Sequence, residues 1–287
     1  MQLAPSGAPR VFLDYDQKAL DDAYDQAVYA PNRDQVLARL ASASAITRKH
    51  LGEPQRFAYG PSEIEKLDVF SCGRSNAPVN VFIHGGAWRQ GLAKNYAFPA
   101  ETFVRAGAHF VVLDFINVLE SGGDLFPMAE QVRRAVAWVH ANCAKFGGDP
   151  DRLHVSATSS GAHLGGCVAT SAGDAVKGYV LASGMYDLRG PRLSKRSAYV
   201  KFTDAMEDAL SPQRHLARIA APITLLYGSL ETPEFQRQSR DFAAALRQAG
   251  KKVELILAEG YNHFELSETL GNPFGPVGRA VLAQMGL

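Results

Sequence analysis

Leu153-His154-Val155-Ser156-Ala157-Thr158-Ser159-Ser160-Gly161-Ala162-His163-Leu164 is a short apolar run that passes through a serine into a helix-forming segment. The pattern matches the turn G-x-S-x-G, which holds a serine at the apex of a strained strand-to-helix connection. Residues flanking such an apex must be small, because bulk would meet the neighbouring strand or helix. Gly161 satisfies this, and Ala157 stands where the first glycine is usual. Ser156 belongs to the strand and Ser160 to the first helical turn, so Ser159 takes the apex. A Ser/Thr-rich turn that only caps a helix would look similar, so the stretch needs support from the rest of the chain.

On either side of it the same alternation repeats. Leu67–Phe70, Val79–Ile83, His109–Phe115, Val176–Ala182, Ile223–Tyr227 and Val253–Leu257 are apolar runs of strand length, separated by helical segments. From Pro127 to Phe146, Val132, Val136, Val139, Cys143 and Phe146 recur at helical spacing, and Gly147-Gly148 with Asp149-Pro150 end that helix and turn the chain. Continuous apolar strands between helices predict an α/β fold, a mostly parallel central sheet with helices on both faces. Residues before about Glu63 are polar and helix-favouring. They predict a helical N-terminal arm over 1–62 on a single domain spanning 1–287, since they have too few apolar residues for a core of their own. Residues 188–218 predict a small lid or a plain surface excursion.

Two further motifs share the chemistry of Ser159. His84-Gly85-Gly86-Ala87-Trp88 follows the strand ending at Ile83, and a glycine-rich turn there leaves backbone amides uncovered. Acyl transfer builds an oxyanion that needs such donors, so Gly86, Ala87 and Ser160 are the candidate oxyanion hole. His84 is expected to bond within its own loop. Gly260-Tyr261-Asn262-His263-Phe264 lies beyond the last strand, which places His263 over the strand carboxyl ends as the general base. The acid that orients it should follow Ile223–Tyr227; Glu231 is closer to that strand end, and Glu234, in the next helix, is the alternative. Trp88, Tyr96, Phe115, Met185 and Tyr186 all adjoin strand ends and are the expected pocket lining.

Composition narrows the function classes. The 287 residues carry 30 basic and 29 acidic side chains for a net charge of +1, which gives no field for gathering nucleic acid or an anionic membrane. No stretch of 18 apolar residues predicts a membrane span. The N-terminal Met1–Gly7 lacks the pattern of a signal peptide. Three cysteines without a C-x-x-C pair fit a reducing compartment, so a cytoplasmic location is expected. No metal or organic cofactor is expected. The partners are a small-molecule ester or amide and, at most, a second copy of the chain as a homodimer.

H-G-G-A-W at 84–88, S-S-G-A-H-L at 159–164, E-T-P-E-F-Q-R-Q-S at 231–239 and N-H-F at 262–264 resemble the arylformamidase (kynurenine formamidase) group of the α/β-hydrolases. Bacterial carboxylesterases with the same H-G-G-x-W loop stand beside that group. Tyr24-Asp25-Gln26 and Ala58-Tyr59-Gly60 are similar too, so the likeness covers nearly the whole chain. It implies an α/β-hydrolase fold with Ser159, Glu231 and His263 as the triad. The chain departs from the group at Ala157 and at Phe115-Ile116-Asn117-Val118 after Asp114, beside the mouth of the site. A serine carboxylesterase for small or aromatic esters is therefore expected first and an arylformamidase second. A non-catalytic binding protein on the same fold is the remote third.

Overall fold

In the computed structural model, which describes residues 9–287, eight strands form one sheet. They are β1 (Gln55–Ala58), β2 (Lys66–Phe70), β3 (Ala77–Ile83), β4 (His109–Leu113), β5 (Gly148–Thr158), β6 (Gly178–Ala182), β7 (Ile223–Gly228) and β8 (Val253–Ala258). Their order across the sheet is β1-β2-β4-β3-β5-β6-β7-β8. β1 and β2 run antiparallel at one edge, and β3 to β8 are parallel. The helices are α1 (Gln17–Ala23), α2 (Gln26–Tyr29), α3 (Arg33–Leu51), α4 (Ala100–Ala106), α5 (Phe126–Asn142) and α6 (Ser160–Ala169). They continue with α7 (Arg189–Leu193), α8 (Asp204–Ala209), α9 (Pro233–Gln248), α10 (His263–Glu268) and α11 (Pro276–Met285).

Successive side chains of a strand point to opposite faces, and the parallel strands other than β5 feed two separate cores here. Val79, Val81 and Ile83 of β3 join Val111, Leu113, Tyr179, Leu181 and Leu225 on the face covered by α5, α6 and α9. Phe82, Phe110, Val112, Val180 and Leu226 face the other way, against α3, α4 and α11. On that second face Phe110 stacks on Phe103 at 5.1 Å and on Phe82 at 6.0 Å. Truncating such a buried ring to alanine typically costs about 3–5 kcal/mol. The expected sheet with helices on both faces is what the chain forms.

Three local readings need correction. β1 was not expected: only Phe57 among its four residues is a large apolar side chain, and the strand lies exposed at the edge, so no alternation marks it. Residues 1–62 are therefore not all helix. The long helix stops at Asn142 and passes into a 3₁₀ turn over Cys143–Phe146, although all five residues of its apolar stripe are buried. Asp149-Pro150 lies inside β5, at an irregularity in its pairing with β3. Residues 1–8 of the arm, including the Met1–Gly7 stretch, lie outside the described residues.

The arm is built into the body of the protein. Leu20 and Tyr24 of its first turns are buried in one core, Val36 and Leu40 of α3 in the other. Between those anchors the chain passes from one face of the sheet to the other. No helix among the described residues is long and apolar enough to cross a membrane.

Candidate active site

β5 delivers Ser159 at φ 57° and ψ −129°, a left-handed conformation that a non-glycine residue adopts only when its surroundings enforce it. The enforcement is visible at Gly161, where a Cβ would lie 2.2 Å from the Ile83 carbonyl oxygen and 2.4 Å from that of His84. Gly85 is close-packed too, 2.9 Å from the Ser159 Cβ by the same measure. The departure at Ala157 is matched on α6: a Cβ at Gly165 would come 3.2 Å from the Ala157 methyl, so the missing side chain there makes room for it. Ser156 is fully buried and receives the Asn80 amide at 2.8 Å, while the Ser160 hydroxyl accepts the Trp88 backbone N–H at 3.2 Å. Of the three serines, Ser159 alone opens onto a cavity.

Ser159 Oγ lies 2.8 Å from His263 Nε2, and His263 Nδ1 lies 2.8 Å from Glu231 Oε2. His263 is the first residue of α10, fixed by Asn262, whose side chain caps the helix and shares a capping box with Glu265. Asn262 also donates to Asn32 at 2.8 Å, and Asn32 donates to Glu265 at 2.6 Å, which ties the histidine loop to the arm. Glu231 follows β7 and is held by the Ser183 hydroxyl at 2.5 Å and the Gly228 N–H at 2.7 Å, both to Oε1. Gln26 of α2 donates to Oε2 at 3.4 Å. Glu234 is spent elsewhere: it accepts Tyr24 OH at 2.7 Å and both arms of the Arg237 guanidinium at 2.7 Å. The geometry brings Glu231, not Glu234, to His263.

Gly86, Ala87 and Trp88 have φ of 126°, 55° and 63°, three successive residues in the left-handed region. Among the described residues the amides of Gly86 and Ala87 meet no acceptor, and both residues line the cavity beside Ser159. Ser160, at the first position of α6, has an amide with no carbonyl of its own helix to meet. His84 is buried and bonds to the Gly85 carbonyl through Nδ1 at 2.8 Å, as expected. It is sandwiched between Tyr96 at 4.6 Å and Phe115 at 4.5 Å, and burial lowers its affinity for a proton. A neutral, stacked imidazole under the loop is a structural part.

The cavity measures about 400 Å³. Of the five expected lining residues only Tyr96 lines it. Phe115 is covered by the His84 stack, Met185 is fully buried, and Tyr186 is buried against Phe242 at 4.4 Å. Trp88 is turned into the core, where its Nε1–H donates to His163 Nδ1 at 3.1 Å. The lining comes instead from segments far away in sequence: Tyr24, Gln26, Arg33 and Leu40 of the arm, and Lys195, Arg196 and Tyr199 between α7 and α8. Only Tyr24-Asp25-Gln26 carried a sequence signal, in the family likeness.

The burial of His163 makes stability depend on pH. Burial pushes His163 down to about 4, from an ordinary 6.5. Native His163 then stays neutral while the unfolded chain takes up a proton, so stability is lost as pH falls from about 6.5 to about 4. Each pH unit in that window costs about 1.4 kcal/mol. Urea unfolding at pH 7 and pH 4.5 should show that His163→Gln loses less stability on acidification than the parent, by roughly 2–3 kcal/mol. Equal losses in the two proteins would contradict a buried neutral His163.

The BD-FAE family profile matches residues 67–226, more than half of the chain. Kynurenine formamidase of Danio rerio is 31% identical over 242 residues, covering 79% of this chain and 79% of that protein. Esterase LipQ of Mycobacterium tuberculosis is 31% identical over 257 residues, covering 78% of this chain but 60% of its own length. Among solved structures, a protein from Silicibacter sp. tm1040 superimposes with a TM-score of 0.80 at 22% identity, covering 93% of this chain and 99% of that chain. Esterase LipW from Mycobacterium marinum gives 0.71 at 19% identity, covering 92% of this chain and 89% of that chain. These two structures bear on the fold, and the two sequence relatives bear on the family. The chain belongs to the BD-FAE family of α/β-hydrolases and is an enzyme that hydrolyses esters or amides.

Proposed function

We propose that the protein is a serine carboxylesterase in which Ser159 is the nucleophile, His263 the base and Glu231 the acid. The observation that carries this reading is the unbroken chain Ser159–His263–Glu231, with both links at 2.8 Å, opening beside the free amides of Gly86 and Ala87. His263 takes the Ser159 proton as Oγ attacks the carbonyl carbon, and Glu231 stabilises the imidazolium that forms. The oxyanion rests on the amides of Gly86, Ala87 and Ser160. His263 returns the proton to the leaving group, and water repeats the two steps on the acyl-enzyme.

Arylformamidase activity is the second reading, supported by the Danio rerio relative. Both readings use the same residues, so substrates separate them. With one preparation, kcat/KM on p-nitrophenyl acetate and butyrate is expected to exceed that on N-formylkynurenine. A preference for the formamide of a thousandfold or more, about 4 kcal/mol in transition-state binding, would overturn the ester reading.

Residues 188–218 act, in this reading, as the small lid. Support comes from Lys195, Arg196, Ala198 and Tyr199, which wall the cavity, and from the Lys195–Asp25 ion pair that joins the segment to the arm. A cytoplasmic setting fits the three cysteines, all free.

A further inference from the structure

Around Ser159 the cavity wall is unevenly charged. It contains Arg33, Arg89, Lys195 and Arg196, and its one carboxylate, Asp25, is paired with Lys195. Glu231 lies behind His263, taken up by that ring, Ser183 and Gly228. Two arginines at this small site, Arg89 and Arg196, therefore form no ion pair among the described residues, in a chain whose net charge is +1. Arg33 is paired with the exposed Asp34 at 3.8 Å and lies 5.9 Å over the Phe264 ring, and Arg89 is exposed with its guanidinium 4.5 Å over the Tyr199 ring.

Arg196 is the unusual one. It is 6% exposed and forms no ion pair among the described residues; Asp25 feels its charge only at longer range. Its Nη1 donates to Tyr199 OH at 2.9 Å and its Nη2 to the Tyr24 carbonyl at 3.1 Å, while Nε, also buried, has no acceptor. A guanidinium cannot shed its proton, so a buried one with no carboxylate in contact keeps part of its desolvation penalty. Its position gives that penalty a use. The guanidinium carbon sits 5.4 Å over Trp88 and 5.8 Å over Phe235. The Trp88 amide is bonded to Ser160, and Phe235 packs against His263 at 5.0 Å. Arg196 thus rests on one ring that packs against His263 and on a second whose backbone amide is bonded to Ser160.

We propose that the substrate carries a carboxylate a few bonds from the scissile carbonyl, and that Arg196 receives it with Arg89 and Arg33 drawing it in. The inference rests on the serine-hydrolase reading and narrows its substrate class to anionic esters or amides. Guanidinium and carboxylate match in planar geometry, and their charge-assisted hydrogen bonds are about twice as strong as neutral ones. A cavity of about 400 Å³ suits a half-ester of a short dicarboxylic acid or an acylated hydroxybenzoate.

The test uses two matched pairs, each corrected for spontaneous hydrolysis: mono-4-nitrophenyl succinate against 4-nitrophenyl butyrate, and 4-acetoxybenzoate against phenyl acetate. The first pair places the anion on the acyl side, the second on the leaving side. In at least one pair kcat/KM should favour the anion by about 10-fold or more, and the ratio should shrink between about 20 mM and 300 mM salt. Arg196→Gln should bring that ratio down to about 1, and Arg89→Gln should lower it and flatten its salt dependence. If Arg196→Gln fails to fold, the parent ratios, their salt dependence and Arg89→Gln still decide. Anionic esters turned over no faster than their neutral partners would overturn this inference and leave the hydrolase reading standing. If the folded protein hydrolyses none of the four, both fall.

Discussion

Replacing Ser159 with alanine is expected to lower kcat on p-nitrophenyl acetate by roughly 10⁵–10⁶-fold and to leave the fold unchanged. The two halves of that expectation have separate grounds. The hydroxyl has one polar partner, His263 Nε2, so its removal leaves no buried group stranded except one imidazole edge facing the cavity. Alanine keeps the Cβ, and the φ of 57° at this position is no worse for alanine than for serine. Unfolding in urea should therefore match the parent to within about 0.5 kcal/mol. Turnover falls because the acyl-enzyme has no oxygen on which to form.

His263→Ala should cost about as much, and the double variant should be scarcely worse than either single one, since the two side chains act as a unit. Residual hydrolysis of roughly 10³-fold over water should survive in all three, from the amides of Gly86, Ala87 and Ser160. A serine-directed phosphonate should add its mass to the parent and not to Ser159→Ala. A fully active alanine variant would end the assignment.

What the sequence disclosed about this site follows from which interactions are local. The apex at Ser159 is legible because strand, small residue and helix follow one another within a dozen positions, and because Gly161 must be bare to clear the Ile83 and His84 carbonyls. His263 and the Gly86–Ala87 amides are legible for the same reason, each lying directly after a strand. The compensation of Ala157 by Gly165 was not, because it depends on which turn of α6 passes over the end of β5. Trp88 shows the limit most plainly. Being next to a strand end fixes where its Cα lies, but its φ of 63° turns the ring under the loop to His163, away from the cavity. The opposite error concerns the arm: Tyr24, Gln26 and Arg33 reach the site only because the chain crosses from one core to the other over the strand ends. A tertiary crossing of that kind leaves no period in the sequence.

The two carboxylates of Gly228–Phe235 offer the sharpest separation of chemistry from stability, and their variants should give opposite results. Glu231→Gln keeps the shape but removes the charge that fixes the His263 tautomer and steadies its imidazolium. A loss of about 10³–10⁴ in kcat is expected, with KM little changed. Glu234→Gln should leave kcat within about threefold, because Glu234 faces Tyr24 and Arg237 and not His263. Its cost falls on the fold, about 2 kcal/mol in urea unfolding, since the Arg237 guanidinium would keep only Asp241, at 2.6 Å, as a counter-ion. Ser183→Ala lies between them. It removes the 2.5 Å donor to Glu231 Oε1 but leaves the Gly228 N–H, so kcat should fall by about 10-fold, and the charge on Glu231 should still hold His263 in place. Should Glu234→Gln prove to be the variant that abolishes turnover while unfolding normally, the acid would have to be reassigned. The arm, anchored to Glu234 through Tyr24, would then belong to the chemistry and not to the wall of the site.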